Sequence, residues 1–556
     1  CVIAWSLGNE SRWGTNFQRE REYVRAEDPS RPAIFSYPET VPAGVDAYDL
    51  YSMHYPKFDG DLTSPQFPKL NDECTHVPCY DLDTLQRDPG VRDYWGHFIK
   101  RFWENCYTSD GCLGGAIWAG FDEVFLLPKS PVGYGEWGIV DAWRRPKPEY
   151  WLTKKAYSPI RIEETEVPNP GAGQPLEIPV KNWFNHTDLA EVQVAARIGR
   201  EPLRARLANA APGSNGKLVI PARDWNDGDV VDLEFHNEGG VSIDQFRIRI
   251  GKRTVTFPGP QGPAPKVIED TQSLTVQGRE FRIVFDKVAG LIREGVFRGK
   301  KVLEGGPFLN LGPTRLPSWW LINMKHSLTE NEAVITLAGA HVARRGSGPG
   351  MNMLLEIRID GQGLITTQYT LQDAVKDASE VGLSFVLPSS VDRLSWDRRA
   401  LWSAYPPDHI GRPQGMARRN SSDVHRLYRH DPAGPWAEDA KDFFLFGSND
   451  PGDRGTNDFR SLKENIWWAA CGLMDTPLAV RAESDATAAA RAEVWSDGKV
   501  QFNINHLWAY PDLDFGVSMP RINLDPGYKN TVRLRLTEVP IPASWSAVAA
   551  ATAFRP

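Results

Sequence analysis

Two short apolar runs, each ending in a glutamate, constrain the fold of this chain more than any other feature. Residues 1–10 pass from apolar, strand-forming residues into Asn9 and Glu10, and residues 69–73 form a second short run that ends at Glu73. A strand of a parallel barrel delivers polar side chains into a site at its C-terminal end in this way. The pattern therefore predicts that the two glutamates lie at the mouth of one barrel.

Each glutamate also has a simpler interpretation. Glu10 could end a buried strand and cap the helix that starts near Ser11. Glu73 could be an exposed loop carboxylate beside Asp72. The surrounding sequence decides between these interpretations and the catalytic one.

Helical and strand-like segments alternate over residues 1–157, which is the order of a parallel β/α barrel. Helices are predicted at 16–27 and near 91–107, and strands near 47–53, 69–73 and 115–118. Since the strand ends of such a barrel meet at one face, Glu10 and Glu73 can meet there although they are far apart in sequence. A retaining hydrolysis of a glycosidic bond needs two carboxyl groups roughly 5 Å apart, one to protonate the leaving oxygen and one to attack the anomeric carbon.

Seven short motifs surround and follow the two glutamates. They are VIAWSLGNES at 2–11, DPSRP at 28–32, SMHYP at 52–56, NDECTH at 71–76, LGGAIW at 113–118, GIV at 138–140 and RPKP at 145–148. Together they resemble the barrel of glycoside hydrolase family 2, in particular its β-galactosidase branch. The resemblance implies that residues 1–157 are the C-terminal half of a (β/α)8 TIM barrel, holding its strands four to eight.

The resemblance also implies roles for individual residues. Glu10 is expected to be the acid/base and Glu73 the nucleophile, with Tyr55 donating a hydrogen bond to the nucleophile. Asn9 is expected to contact the sugar 2-hydroxyl, and His76 to bind the sugar.

Further site residues carry open alternatives. Trp118 is expected to form an apolar platform under the sugar ring, but packing is a rival role in a chain with 20 Trp. Asn9 could cap a helix, and His76 could be a structural hydrogen-bonding group. Because neighbouring strand residues point to opposite faces, only one of His54 and Tyr55 is expected to face the site.

Cofactor requirements follow from the resemblance alone. No cofactor is required for the chemistry, but the family resemblance implies a Mg²⁺ site for which Glu10 is the one ligand that this sequence can share. The family's Na⁺ site is doubtful here, because Trp137 stands where β-galactosidases carry an Asn beside Gly138.

The pattern changes to short strands with turn signals from about residue 161. Residues 158–257 are predicted to form an immunoglobulin-like β-sandwich, and residues 258–266 form a Pro/Gly linker. Residues 267–556 hold many alternating segments and resemble the small-chain supersandwich of the β-galactosidase branch, a large antiparallel assembly. The predicted fold class is thus multidomain, with a partial barrel followed by two β domains.

Composition excludes several classes of partner. The net charge of −8 with dispersed charges disfavours nucleic acid, and no apolar run is long enough to span a membrane. The six cysteines fit neither a dense disulfide scaffold nor a paired metal motif, although Cys106 and Cys112 are a candidate disulfide.

The sequence therefore predicts a retaining, exo-acting glycosidase that cleaves terminal β-linked sugars from an oligosaccharide or polysaccharide-derived substrate, with β-D-galactosides favoured. The alternatives are the same mechanism on a β-glucuronide or another plant or algal polysaccharide residue, and a non-catalytic carbohydrate-binding protein with a degenerate barrel. A homo-oligomer is left open, and a periplasmic or secreted location is favoured over a cytoplasmic one. Because the chain begins with Cys1 inside a strand-like run, it is expected to lack an upstream part, including any signal peptide.

Overall fold

The computed structural model describes most of the chain. The described residues are 2–79, 82–127, 131–312, 316, 318–342, 350–419, 436–438, 456–495, 497–510 and 520–541. Cys1, on which the expectation about an upstream part depends, lies outside them. No helix in the described ranges has the length and apolar character needed to cross a bilayer.

A five-stranded parallel sheet with helices forms the N-terminal part. Its strands, hydrogen-bonded in chain order, are β1 Trp5–Ser6, β2 Ala33–Phe35, β3 Leu50–His54, β4 Lys69–Cys74 and β5 Cys112–Ile117. The helices are α1 Thr15–Glu27, α2 Leu82–Arg87, α3 Val91–Thr108 and α4 Pro148–Ala156, and a hairpin of β6 Glu123–Leu126 and β7 Pro131–Gly135 follows β5. This order confirms the predicted parallel β/α sheet, but no α-helix separates β2 from β3 or β3 from β4 in the described residues 36–68. It also adds β2, which the sequence analysis did not identify.

The longest of these helices, α3, buries one apolar face. Its buried apolar residues recur at three- and four-residue spacing, from Val91 through Trp95, Phe98 and Ile99 to Phe102. This spacing places them on one stripe of the helix. Part of the stripe packs with residues of α4, so the two helices share one apolar cluster.

Two antiparallel sheets around a common apolar core follow the parallel sheet. Their strands are β8 Ile160–Arg161, β9 Glu166–Val167, β10 Gln174–Asn182, β11 Gln193–Ile198, β12 Glu201–Leu203, β13 Arg206–Leu207, β14 Asn215–Arg223, β15 Val230–His236 and β16 Ser242–Ile250. The orders are β13-β14-β10-β8 and β12-β11-β15-β16-β9, with β9 parallel to β16. Every second residue of β10 is buried, including Leu176, Ile178 and Val180, as expected for a strand with one face on a core.

The C-terminal part forms one large sheet of 17 described strands built from antiparallel pairs. In order they are β17 Lys266–Glu269, β18 Ser273–Gln277, β19 Phe281–Asp286, β20 Ile292–Phe297, β21 Lys300–Leu303, β22 Gly305–Asn310, β23 Trp319–Leu328, β24 Glu332–His341, β25 Met351–Asp360, β26 Leu364–Leu371, β28 Glu380–Leu387, β29 Val391–Arg398, β30 Gln414–Arg418, β31 Lys463–Leu473, β32 Leu478–Val494, β33 Val500–Trp508 and β35 Lys529–Glu538. A separate pair joins β27 Val375–Ala378 to β34 Ile522–Leu524, and a short helix, α5, spans Asn457–Arg460.

The candidate disulfide between Cys106 and Cys112 is wrong, because both thiols are free. The side-chain amide of Asn71 lies against both sulfur atoms, 3.6 Å from Cys106 and 3.5 Å from Cys112. Both cysteines therefore line the packing between β4, α3 and β5.

Candidate active site

Glu10 lies just beyond β1 and is positioned by the end of β2. The backbone N–H of Ser36 donates to the Gly8 carbonyl at 3.3 Å, and the backbone N–H of Glu10 donates to Ser36 Oγ at 3.1 Å. The φ angle of Glu10 is +46°, in the left-handed region that non-glycine residues rarely adopt. The neighbouring strand end thus fixes the backbone of Glu10, while its side chain remains 43% exposed.

Glu73 lies inside β4, where the register shifts against both neighbouring strands. Against β3 the pairing passes from Ser52–Leu70 to His54–Glu73, so three steps along β4 match two along β3. The pairing with β5 shows the same excess of one residue before Cys74. A bulge of this kind re-aims side chains, and here it lets consecutive residues, Asp72 and Glu73, both approach His54.

His54 and Tyr55 both face the carboxylates, so the expectation that only one of them would is wrong. His54 Nδ1 is 3.1 Å from Glu10 Oε1, and the hydroxyl of Tyr55 donates to Glu73 Oε1. The reason is local: β3 ends at His54, and Tyr55 has a left-handed φ of +45°. The alternation of strand side chains therefore ends at His54, and Tyr55 is not directed to the opposite face.

The two glutamates come together as the sequence predicted. One carboxylate oxygen of Glu10, one of Glu73 and a ring nitrogen of His54 all lie within 4.8 Å of one another. A retaining glycosidase holds its two carboxyl groups about 5–5.5 Å apart, whereas an inverting one needs about 6.5–9.5 Å to admit a water. The separation is compatible with direct attack by one carboxylate and leaves little room for an inverting water.

Charges converge on His54, whose side chain is only 6% exposed. Burial alone would lower its pKa, but hydrogen bonds to Asp72 and Glu10 and the charge of Glu73 outweigh burial and raise the pKa to about 9. His54 is then an imidazolium at neutral pH. It screens the repulsion between the carboxylates of Glu10 and Glu73, which it contacts at 3.1 and 3.4 Å.

Tyr37 and Ser36 belong to this site although the sequence analysis did not select them. The ring centroid of Tyr37 lies 5.9 Å from that of His54, and burial together with the charge of Glu10 raises the pKa of Tyr37. Ser36 Oγ lies 3.0 Å from His54 Nε2. Both residues follow β2 directly, so the rule that located Glu10 and Glu73 would have found them had the three-residue strand Ala33–Phe35 been recognised.

The three supporting residues are placed differently. His76 is buried, its Nδ1 lies 2.8 Å from the Val77 carbonyl, and its ring centroid is 6.0 Å from that of Tyr55. Trp118 is half-buried, with its ring 6.2 Å from that of Trp137. Burial lowers the pKa of His76, so it is a neutral imidazole near the carboxylates.

Asn9 is adjacent to Glu10 and exposed. Its backbone carbonyl accepts a hydrogen bond from Ser11 Oγ at 2.8 Å. Among the described residues, its side-chain amide has no hydrogen-bond partner, so the amide is available to a ligand that approaches Glu10.

The residues around Glu10 do not fit a Mg²⁺ site. Magnesium prefers six oxygen ligands in octahedral geometry, whereas the group formed here is Glu10, His54 and Glu73. This group supplies two carboxylates and one imidazole nitrogen from the described residues, which is fewer oxygen ligands than an octahedral Mg²⁺ site needs. At the position considered for Na⁺, Trp137 is buried and offers an indole N–H, which is a donor only.

The N-terminal part of the chain matches the model of a known protein family. Residues 1–162 match the model described as glycosyl hydrolases family 2, TIM barrel domain. This range contains every residue of the carboxylate site.

Similar curated proteins are β-galactosidases. The chain is 22% identical to "Beta-galactosidase 2" of Enterobacter cloacae over 77% of its own length and 47% of that protein's. It is 36% identical to a β-galactosidase of Pectobacterium atrosepticum over 34% of this chain and 19% of that one. The matches thus span less than half the length of these relatives.

Among solved structures, a crystal structure of Parabacteroides merdae β-glucuronidase with glycerol in its active site matches at 14% identity. The match covers 67% of this chain and 48% of that chain with a TM-score of 0.23. A score at this level supports no inference about fold or function.

Proposed function

We propose that this β-galactosidase-like chain, whose residues 1–162 are a glycosyl hydrolase family 2 TIM barrel domain, hydrolyses terminal β-linked sugars with retention of configuration. The observation that carries the proposal is that one carboxylate oxygen of Glu10 and one of Glu73 lie within 4.8 Å of each other. Both carboxylates are present at the spacing that double displacement requires. A degenerate, non-catalytic carbohydrate-binding barrel would have no need to keep that pair.

In the first step Glu73 attacks the anomeric carbon while Glu10 protonates the leaving oxygen. Glu73 suits the nucleophile because its side chain is only 11% exposed and is fixed by the Tyr55 hydroxyl and by His54 at 3.4 Å. These donors stabilise the charged form of a carboxylate. Glu10 suits the acid/base because its greater exposure lets it reach a leaving group and then a water.

In the second step Glu10 removes a proton from water, which attacks the anomeric carbon of the glycosyl–Glu73 ester. Breaking this ester returns the Glu73 carboxylate to its hydrogen bond with Tyr55. The neutral His76 and the exposed amide of Asn9 are the groups we assign to sugar hydroxyls, and Trp118 is the platform we assign to the apolar face of the ring.

A neutral sugar fits the site better than a uronic acid. Three carboxyl groups, those of Glu10, Asp72 and Glu73, surround a single imidazolium, so the cluster carries net negative charge even when Glu10 is protonated as the acid. The carboxylate of a uronic acid would be repelled. Together with the names of the curated relatives, this favours an exo-acting β-D-galactosidase over a β-glucuronidase.

We also propose identities for the two β regions. The two sheets that share one core between residues 158 and 257 are assigned as an immunoglobulin-like sandwich, and residues 267–556, whose described part contains the large antiparallel sheet, as the small-chain supersandwich. The alternating burial of β10 and the antiparallel pairing of β17 through β21 and of β23 through β26 support these assignments.

Substitution of the acid/base tests the proposal. Glu10→Gln should slow the hydrolysis of alkyl β-galactosides far more than that of dinitrophenyl β-galactoside, whose leaving group needs no protonation. Added azide should restore turnover and yield β-galactosyl azide, because it needs no general base. Equal losses on both substrates without azide rescue would refute the assigned role, and a panel of nitrophenyl glycosides on the unaltered protein identifies the sugar.

A further inference from the structure

A cleft of about 1220 Å³ lies between α4, the sheet containing β11, β15 and β16, and the segment 397–414. None of the residues that form the carboxylate site lines it. Small-molecule sites usually measure about 300–1,000 Å³, so this cleft has room for a ligand of several sugar units.

The charge of the cleft opposes that of the chain. Its lining contains ten Lys and Arg side chains and five Asp and Glu side chains, whereas the whole chain carries a net charge of −8. A cleft with low-dielectric walls and one predominant sign of charge concentrates ligands of the opposite sign. The lining therefore selects for an anion.

All five carboxylates of the cleft have hydrogen-bond or ion-pair partners within the protein, but only some of its basic side chains are paired with a carboxylate. The pairs are Lys155–Asp244, Arg197–Asp232, Arg247–Asp232 and Arg253–Asp397, while Glu234 contacts His236 and Glu166 accepts from the Arg253 backbone. Two further arginines reach outside the cleft, Arg398 to Asp93 and Arg412 to Asp458.

Four basic side chains of the cleft have no carboxylate partner among the residues that the structure describes: Lys154, Arg200, Arg249 and Arg399. Lys154, Arg200 and Arg399 are exposed, and Arg249 is half-buried. The Nε of Arg249 is buried without a hydrogen bond in the described structure. Removing a guanidinium from water without compensation is costly, and an anion in the cleft would relieve that cost.

Aromatic side chains lie beside these charges. Trp151 and Trp467 are half-buried in the lining, and the guanidinium of Arg253 stacks 4.4 Å above the ring of Trp467. Indole faces present broad apolar surface with a polar edge, the complement of the C–H face of a sugar ring. The cleft thus combines platforms for sugar rings with donors for acidic substituents.

Hydrogen bonds between the walls hold the cleft in shape. Lys155 Nζ on α4 donates to Asp244 and to the Gln245 carbonyl on β16, and the backbone N–H of Arg247 donates to Ser403 Oγ at 3.0 Å. A site formed in advance loses less entropy when a ligand binds.

We propose that this cleft binds an anionic oligosaccharide, carrying sulfate or uronic-acid groups, at a site separate from the catalytic carboxylates. The two substituents share the chemistry that recognises them, which is an oxyanion held by guanidinium and ammonium groups. The proposal does not depend on hydrolysis, since binding can be measured whether or not the protein turns over.

Calorimetric titration of the whole protein with three ligands tests the proposal. The ligands are a sulfated galactan oligosaccharide, the same oligosaccharide after chemical desulfation, and an oligogalacturonate. Binding of either acidic ligand at least about tenfold tighter than the desulfated one, and weaker at high salt, is expected. The acidic ligand that binds identifies the substituent.

Matched variants locate the binding. Arg200→Gln and Arg399→Gln each remove an exposed, unpaired guanidinium and should weaken binding of the acidic ligand about tenfold. Arg204→Gln is the control, because Arg204 is equally exposed in the same β region but does not line the cleft, and it should leave affinity unchanged. Equal affinity for the desulfated ligand, equal loss in the Arg204 control, or no binding of either acidic ligand at millimolar concentration would overturn the proposal.

Discussion

Glutamate side chains lie in two different environments in two regions of this molecule. In the parallel sheet, Glu10 and Glu73 sit at strand ends beside one imidazolium, and Glu10 is 43% exposed. In the large antiparallel sheet, Glu380 is buried inside a strand pair and satisfied by Arg491 at 2.8 Å and Asn310 at 2.6 Å. The exposed carboxylate of Glu10 is accessible to a substrate, whereas both oxygens of Glu380 already accept hydrogen bonds.

Glu73 and Glu380 are almost equally buried, with side chains 11% and 10% exposed, so the comparison teaches that the nature of the partners separates the two arrangements. Glu380 contacts an arginine and an amide, whereas Glu73 lies close to a second, exposed carboxylate, that of Glu10. Buried ion pairs are common in the large sheet, another being Lys463 with Asp458 at 2.7 Å. Substitutions in the two regions should therefore have different effects. Those at Glu10 or Glu73 should reduce activity without unfolding the protein, and those in the large antiparallel sheet should reduce stability without changing the activity of the folded protein.

The largest effect is expected for Glu73→Gln, which removes the nucleophile. Turnover of every substrate should fall on the order of 10⁴-fold or more, with the denaturation midpoint nearly unchanged. Steady-state assays and chemical unfolding measure the two quantities. Residual turnover within tenfold of the unaltered protein would break the comparison.

The matched substitution in the core is Glu380→Gln. Because it removes the closer carboxylate of the buried Arg491, at 2.8 Å, and leaves only Glu493 at 3.6 Å, it should lower the free energy of unfolding by about 3 kcal/mol. Activity per folded molecule should remain within about twofold. A loss of turnover in the fully folded variant would show that the antiparallel sheet contributes to the chemistry.

The pH dependence of stability should also differ between the two regions, because each contains a histidine whose pKa is shifted. His54 has its pKa raised from 6.5 to about 9, so its contribution to stability is complete below pH 6.5 and is lost as the pH rises through 9. Burial lowers the pKa of His506 in the large sheet to about 4, so its contribution is present above pH 6.5 and is lost as the pH falls through 4.

Unfolding free energies measured from pH 4 to 10 should show both effects. His54→Gln should remove an alkaline loss of about 2 kcal/mol, and His506→Gln should flatten only the acidic side. If His54→Gln left the alkaline limb unchanged, the imidazolium assigned to the site would be wrong.

The smallest effect is expected for Tyr55→Phe, which removes a single donor to Glu73. Loss of one hydrogen bond to a charged group should reduce kcat about tenfold. Tyr369→Phe is the control, because that hydroxyl contacts His506 at 3.1 Å in the core and should affect stability alone. Equal kcat for Tyr55→Phe and the unaltered protein would remove Tyr55 from the mechanism.

Sequence patterns predicted the features that depend on local chemistry. The apolar period of α3 and the run ending at Glu73 predicted elements within a few residues of those observed, and the motifs predicted the family whose TIM barrel model residues 1–162 match. Strand alternation could not place His54 and Tyr55, because the left-handed turn at Tyr55 breaks it. The bulge in β4 also could not be predicted from the sequence, because a register shift results from packing against two neighbouring strands.

Other errors have the same origin. Cys106 and Cys112 are close in sequence, but the amide of Asn71 lies against both thiols and they remain free. Tyr37 was missed because β2 has only three residues, too few for a periodic signal. Sequence thus located the two carboxylates, and tertiary packing decided what surrounds them.

The stereochemistry of hydrolysis tests the central claim most directly. Because one carboxylate oxygen of Glu10 and one of Glu73 lie within 4.8 Å, we propose double displacement, so proton NMR recorded in the first minutes of β-galactoside hydrolysis should show the β-anomer of the free sugar before mutarotation. First appearance of the α-anomer would contradict the account, because it would mean that water attacks directly and that Glu73 is not a nucleophile.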